Sequence, residues 1–77
     1  MTNATLNPGI KSIEFINGSI LFVHLTNERV FIVPVDKFPS IKNLSADEKQ
    51  LFEIIDNKYL SFLAIDDVYS LEELIGL

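Results

Sequence analysis

A chain of 77 residues holds one small domain and has no room for a second. Six basic against eleven acidic residues give a net charge of -5, which argues against the basic footprint of direct nucleic-acid binding. Cysteine is absent, so neither a disulfide framework nor a thiolate zinc site can supplement a core drawn from the 48% of residues that are apolar. Burial must carry the fold, in a size class that hides only about 60% of its unfolded surface.

Residues 1–9 read as a loose leader, small and polar and closed by Pro8-Gly9, ahead of a single domain over 10–77. The leader has neither the basic nor the apolar region of a signal peptide, and no window approaches a membrane span. The expectation is a soluble cytoplasmic protein with no membrane partner.

Ile10 to Ile16 and Ser19 to Leu25 are β-favouring runs around Asn17-Gly18, a pair that tolerates the positive φ of a tight hairpin turn. Thr26-Asn27-Glu28 then separates a third run, Arg29 to Val35, with Pro34 expected where the ladder needs no amide donor. Val35 to Asn43 reads as an irregular crossing anchored by Phe38 and Ile41. Ser45-Ala46-Asp47-Glu48 fits a capping box, and apolar Leu51, Phe52, Ile54 and Ile55 predict that the helix beginning at Ala46 continues to Asn57-Lys58, with Lys49 on its polar side. Leu60 to Ile65 suits a fourth strand, and Asp66-Asp67 turns the chain. Ser70 to Glu73 forms a second capping box, with Tyr69 and Leu74 in staple positions, opening a helix over Leu71 to Ile75. The expected class is α+β: a three-stranded antiparallel meander, then a helix, a short strand and a C-terminal helix. No internal repeat is evident at this level.

The meander is apolar on both sides. Strand two alternates Leu21, Val23 and Leu25 with Ile20 and Phe22, while strand three alternates Phe31, Val33 and Val35 with Val30 and Ile32. A solvated antiparallel sheet would alternate apolar with polar. The helices can cover one face. Ile20, Phe22, Val30 and Ile32 are the candidate partner-binding face, for a protein partner or for self-association as a homodimer.

Reactive groups are sparse. The single histidine, His24, lies in a strand, so a nucleophile–base–orienter set has no evident base apart from it. Asp66-Asp67 is the densest oxygen-ligand candidate, with Asp36, Asp56, Glu72 and Glu73 as possible neighbours, but the calcium-loop pattern is missing and acids ahead of a helix suit its dipole. The glycines are isolated and form no phosphate loop. Catalytic, metal and cofactor residues are therefore expected to be none.

Asn17-Gly18, Val33-Pro34-Val35, Phe38-Pro39, Phe52, Ile54-Ile55, Ile65-Asp66-Asp67, Ser70-Leu71-Glu72 and Leu74-Ile75 together resemble the domain-of-unknown-function family 2442, over nearly the whole chain after residue 10. The chain departs from that pattern at Phe52, where the family commonly has Trp, at Ser61-Phe62-Leu63, where it has His-Trp-Pro, near Asn57-Lys58, and at Val68. The resemblance implies a small bacterial α+β domain without established enzymatic activity, often encoded beside a second small protein in toxin–antitoxin-like pairs. With the apolar sheet face and the acidic balance of the chain, it points to a non-catalytic interaction module, antitoxin-like or adaptor in role, that would hold a basic partner. The alternative is a regulatory domain acting on transcription through a separate DNA-binding protein, because some relatives are joined to a helix-turn-helix domain.

Overall fold

The computed structural model describes residues 8–76. Strands β1 (Ile10–Ile16), β2 (Ile20–Leu25) and β3 (Val30–Pro34) form one antiparallel sheet in meander order, and a 3-10 turn (Val35–Lys37) leads into α1 (Pro39–Lys42) and α2 (Ala46–Lys49). Strands β4 (Phe52–Ile55), β5 (Tyr59–Phe62) and β6 (Val68–Ser70) form a second antiparallel meander, closed by α3 (Leu71–Ile75). The molecule is α+β, as expected. Of the leader, residues 1–7 lie outside the described residues. Gly9 is tied to the domain, its amide donating to Thr26 Oγ1 at 2.9 Å and its carbonyl accepting from the Thr26 amide at 2.9 Å.

The first hairpin follows its turn chemistry. Asn17 and Gly18 take φ of 54° and 72°, and the Ser19 amide closes the loop on the Ile16 carbonyl. Leu21 therefore sits opposite both Phe15 and Val33, and the inward row continues through Val23. Because the Val35 amide reaches the Ser19 carbonyl, alternate residues of β3 bond to β2, and Pro34 turns its hydrogen-free nitrogen to the open edge.

The expected long helix is corrected. Ser45 does cap a helix through both arms of its box, yet α2 is a single turn and Phe52–Ile55 is strand. The run Phe52-Glu53-Ile54-Ile55 satisfies a period of two as well as one of 3.6, an ambiguity inherent in short apolar runs. Pairing decides it: as a strand opposite Tyr59–Phe62, it brings Phe52 against the buried Phe62 with ring centroids 6.3 Å apart. Leu51, assigned inward by the helical pattern, is 52% exposed. Lys49, assigned outward, is buried, its ammonium donating to the Leu44 carbonyl at 3.1 Å and lying 5.9 Å from the Phe15 ring centroid.

The two meanders repeat one plan. Ile13-Glu14-Phe15-Ile16 pairs with Ile20 to Val23, and, 39 positions on (Ile13 to Phe52), Phe52-Glu53-Ile54-Ile55 pairs with Tyr59 to Phe62 in the same register. Asp56 and Asn57 take φ of 53° and 59° where Asn17 and Gly18 do. The Lys58 amide closes on the Ile55 carbonyl as Ser19 closes on Ile16, and Leu71 donates to Lys58 as Val35 donates to Ser19. In each unit the third strand runs directly into a helical turn. The repeat is missed in the sequence because few identities carry it, chiefly the glutamate, the isoleucine before the turn and the leucine after it.

The units share one core. Leu21, Val23 and Val33 of the first sheet and Leu60, Phe62 and Tyr69 of the second are buried together, with Ile41 and Leu44 closing the crossing between them. Phe15 meets Phe62 at 6.0 Å between centroids, and Phe38 meets Tyr69 edge-on at 5.5 Å. A second seam joins the turn of the later hairpin to β1. The Ile10 amide donates to the Asn57 carbonyl at 2.6 Å, and Asn57 Nδ2 donates back to the Ile10 carbonyl at 3.1 Å. Gly9 is required at that seam, because a Cβ there would stand 2.7 Å from the Asn57 carbonyl oxygen.

Candidate interaction surface

The register makes the outer face of the first sheet a grid of three cross-strand rows: Ser12–His24–Val30, Glu14–Phe22–Ile32 and Ile16–Ile20–Pro34. Ile20, Phe22, Val30 and Ile32 thus fall on one face, and the structure adds Ile16 to them. Ile32 is 65% exposed, Val30 45% and Ile20 36%, while Phe22 and Ile16 are half-buried. Both cross-strand positions beside Phe22 and the ends of its own strand are occupied, so its partial burial comes from neighbours within the sheet. The short helices do not cover this face.

Its only ionisable groups are Glu14 and His24, whose Oε1 and Nε2 are 3.3 Å apart. His24 is thus neighbour to a carboxylate across the strand and has no serine or second acid oriented on it among its described hydrogen bonds. It touches the Phe22 ring edge-on at 6.5 Å between centroids. The face is an open surface, bordered at Ile32 and Pro34 by a groove that runs between β3 and α3.

Charge is divided between the halves of the chain. Residues 10–43 hold four basic and three acidic side chains, whereas residues 44–77 hold two and eight, giving +1 and -6. The outer face of the second sheet follows the same grid with Glu53, Ile55, Tyr59, Ser61 and Val68, and places Ser61 where the first has Phe22. Ile55, Tyr59 and Val68 are exposed there, a second patch that the helical reading of residues 46–57 concealed. The recurrence of glutamate, isoleucine and a turn pair before the two hairpins was the signal available for it.

Among the described residues, no three His, Asp or Glu side chains converge as a metal ion would require, and Asp66 and Asp67 occupy the exposed approach to β6. A cleft of about 560 Å³ lies between the Asn57 turn and α3, lined in part by Gly9, Thr26, Tyr59, Leu71 and Glu72. Thr26 and Asn57 already spend their side chains on backbone partners there. A smaller groove of about 400 Å³ runs between β3 and α3, past Phe31, Phe38 and Leu74. The acidity of Tyr69 is displaced: burial pushes its phenol up, nearby Asp67 and Glu73 act the same way, and a hydrogen bond with Ser40 partly opposes them. Its ring sits in the core as the staple to Leu74, below the Ser70 cap.

No helix among the described residues is long and apolar enough to cross a membrane. Compared with protein-family models, curated proteins and solved structures, the chain finds no match.

Proposed function

We propose that this protein is a non-catalytic protein-interaction module, the antitoxin-like or adaptor member of a two-protein system in the cytoplasm. The observation that carries the reading is the uncovered apolar grid of Ile16, Ile20, Phe22, Val30 and Ile32 on a sheet whose other face is already the core. Apolar area of this kind is removed from water by association and supplies its durable part. The acidic second half raises the encounter rate with a basic protein without fixing the contact. The antitoxin-like or adaptor role is taken from the sequence resemblance to the domain-of-unknown-function family 2442.

The test places a charge at the most exposed point of the grid. Ile32→Lys is expected to keep the fold, since Ile32 is 65% exposed, and to weaken association with itself or with a small basic protein partner by roughly tenfold or more, about 1.4 kcal/mol. Association of the variant equal to that of the parent would overturn the reading, as would substrate turnover by the purified chain.

A further inference from the structure

One corner of the core is left open where the first sheet meets α3. Phe31 belongs to the inner row of β3, opposite the fully buried Val23, yet it is 40% exposed, whereas Val33 in the same row is 3% exposed. It stands beside the groove of about 400 Å³ that is lined on its far side by Leu74 and Ile75. We infer that this groove binds a short extended peptide segment, which adds a strand antiparallel to β3, lowers apolar side chains between Phe31 and Leu74, and sets an acidic residue against Lys37. The inference does not depend on the outer grid, which faces the other side of the sheet.

Backbone, apolar surface and charge each select part of that occupant. β3 ends the sheet order β1-β2-β3, and because Phe31, Val33 and Val35 bond to β2, Val30 and Ile32 turn their N–H and C=O groups to the open edge. A peptide residue opposite Ile32 exchanges two hydrogen bonds with it, and the residues on either side of that one drop their side chains on the inner side, onto the groove. A helix satisfies its own backbone and a lipid chain has none, so either would fill the groove and leave the Ile32 groups without a partner. Lys37 lines the groove just past the end of β3 and makes no ion pair among the described residues, whereas Lys11 and Lys42 are paired with acids. Glu73, the acid of the groove, accepts the Ser70 amide at 3.0 Å. A carboxylate is therefore favoured at the Lys37 end and a basic side chain disfavoured.

Antiparallel pairing is the more stable per residue. It places the acidic residue at the start of the segment, because Lys37 follows the end of β3. Pro34 has no N–H to offer, so the added ladder is confined to Val30 and Ile32. So short a ladder gives a dissociation constant on the order of tens to hundreds of micromolar.

The probe is a peptide of about six residues, an ordinary strand length, blocked at both ends, with glutamate first and valine alternating with threonine after it. Titrated from roughly 10 µM to 2 mM into the isotope-labelled full chain, it is expected to bind and to slow hydrogen exchange at the Ile32 amide. Methylating one alternate set of its backbone nitrogens should abolish binding, and methylating the other set should leave it unchanged, since only one set points at β3. Lys37→Glu, at an exposed position, should melt like the parent and bind about fivefold more weakly. A peptide with lysine in place of the glutamate should reverse that order, binding Lys37→Glu better than the parent. No binding over the titrated range overturns the site. Equal binding of the two methylated peptides overturns strand pairing, and indifference of both peptides to Lys37→Glu overturns the assigned acid. An Ile32 amide already protected without peptide, and more so as the chain is concentrated, would make a second copy the occupant and overturn the peptide.

Discussion

The two meanders are the same structure with different outsides. Hairpin register, the pair of positive φ values and the bond that closes each turn coincide position by position. Inward positions also agree, with Leu21 and Leu60 both fully buried. Outward, the first unit places Phe22 at its centre and carries almost no net charge around it, whereas the second places Ser61 there and carries most of the acid. What a small sheet needs in order to fold is thus confined to its inner row and its turns. The outer row is free to differ.

The largest effects should come from the inner row, and they test whether the units are one cooperative body. Leu21→Ala and Leu60→Ala are each expected to cost about 2–5 kcal/mol, the range for a buried leucine cut to alanine. For a domain whose whole stability is on the order of 4–11 kcal/mol, either change should lower the melting temperature of all the secondary structure together. Circular dichroism showing one meander melting while the other persists would separate the units. An intermediate effect is expected at the helix starts. Ser70→Ala removes the cap of a helix that carries the buried Leu74 and abuts Tyr69, and should cost about 1 kcal/mol or somewhat more. Ser45→Ala removes the same box from a single turn and should cost nearer 0.5 kcal/mol. Equal losses in urea denaturation would show that the two caps, unlike the two outer faces, are interchangeable.

The smallest effect concerns pH. Tyr69 is held above the ordinary phenol range by burial, so the folded state binds its proton more tightly than the unfolded state does. Its contribution is complete below the unfolded value near 10 and is lost as pH rises through the folded value, because the unfolded chain releases the proton first. Stability should therefore fall more steeply above about pH 10 in the parent than in Tyr69→Phe, measured by denaturation at paired pH values. Parallel curves would remove burial of this phenol as a factor.

Legibility in the sequence varied with the range of the interaction that carried each feature. Asn17-Gly18, the two capping boxes and the terminal position of Pro34 depend on neighbours a few residues away, and all are where the residues place them. The candidate face was readable as two alternating sets, Ile20 with Phe22 and Val30 with Ile32. Their alignment depended on loop length, because a slip of one residue reverses the faces. Three residues in the first loop and the Leu25–Arg29 bond that closes the second settle it, and Ile16 joins the face through the same register. The segment 50–57 was not legible. Its apolar residues fit helix and strand alike, and only the pairing of Phe52 with Phe62 and of Ile54 with Leu60 selects the strand.

The amino-acid order alone settled the α+β class, the first meander, the caps and the division of charge, since each is written in contiguous residues or in their sum. Contacts across the chain decided the second sheet, the likeness of the two units, the burial of Lys49 and which apolar row is left facing outward. Those features belong to pairings between distant residues, and a distant pairing is favourable only once both partners have been brought together.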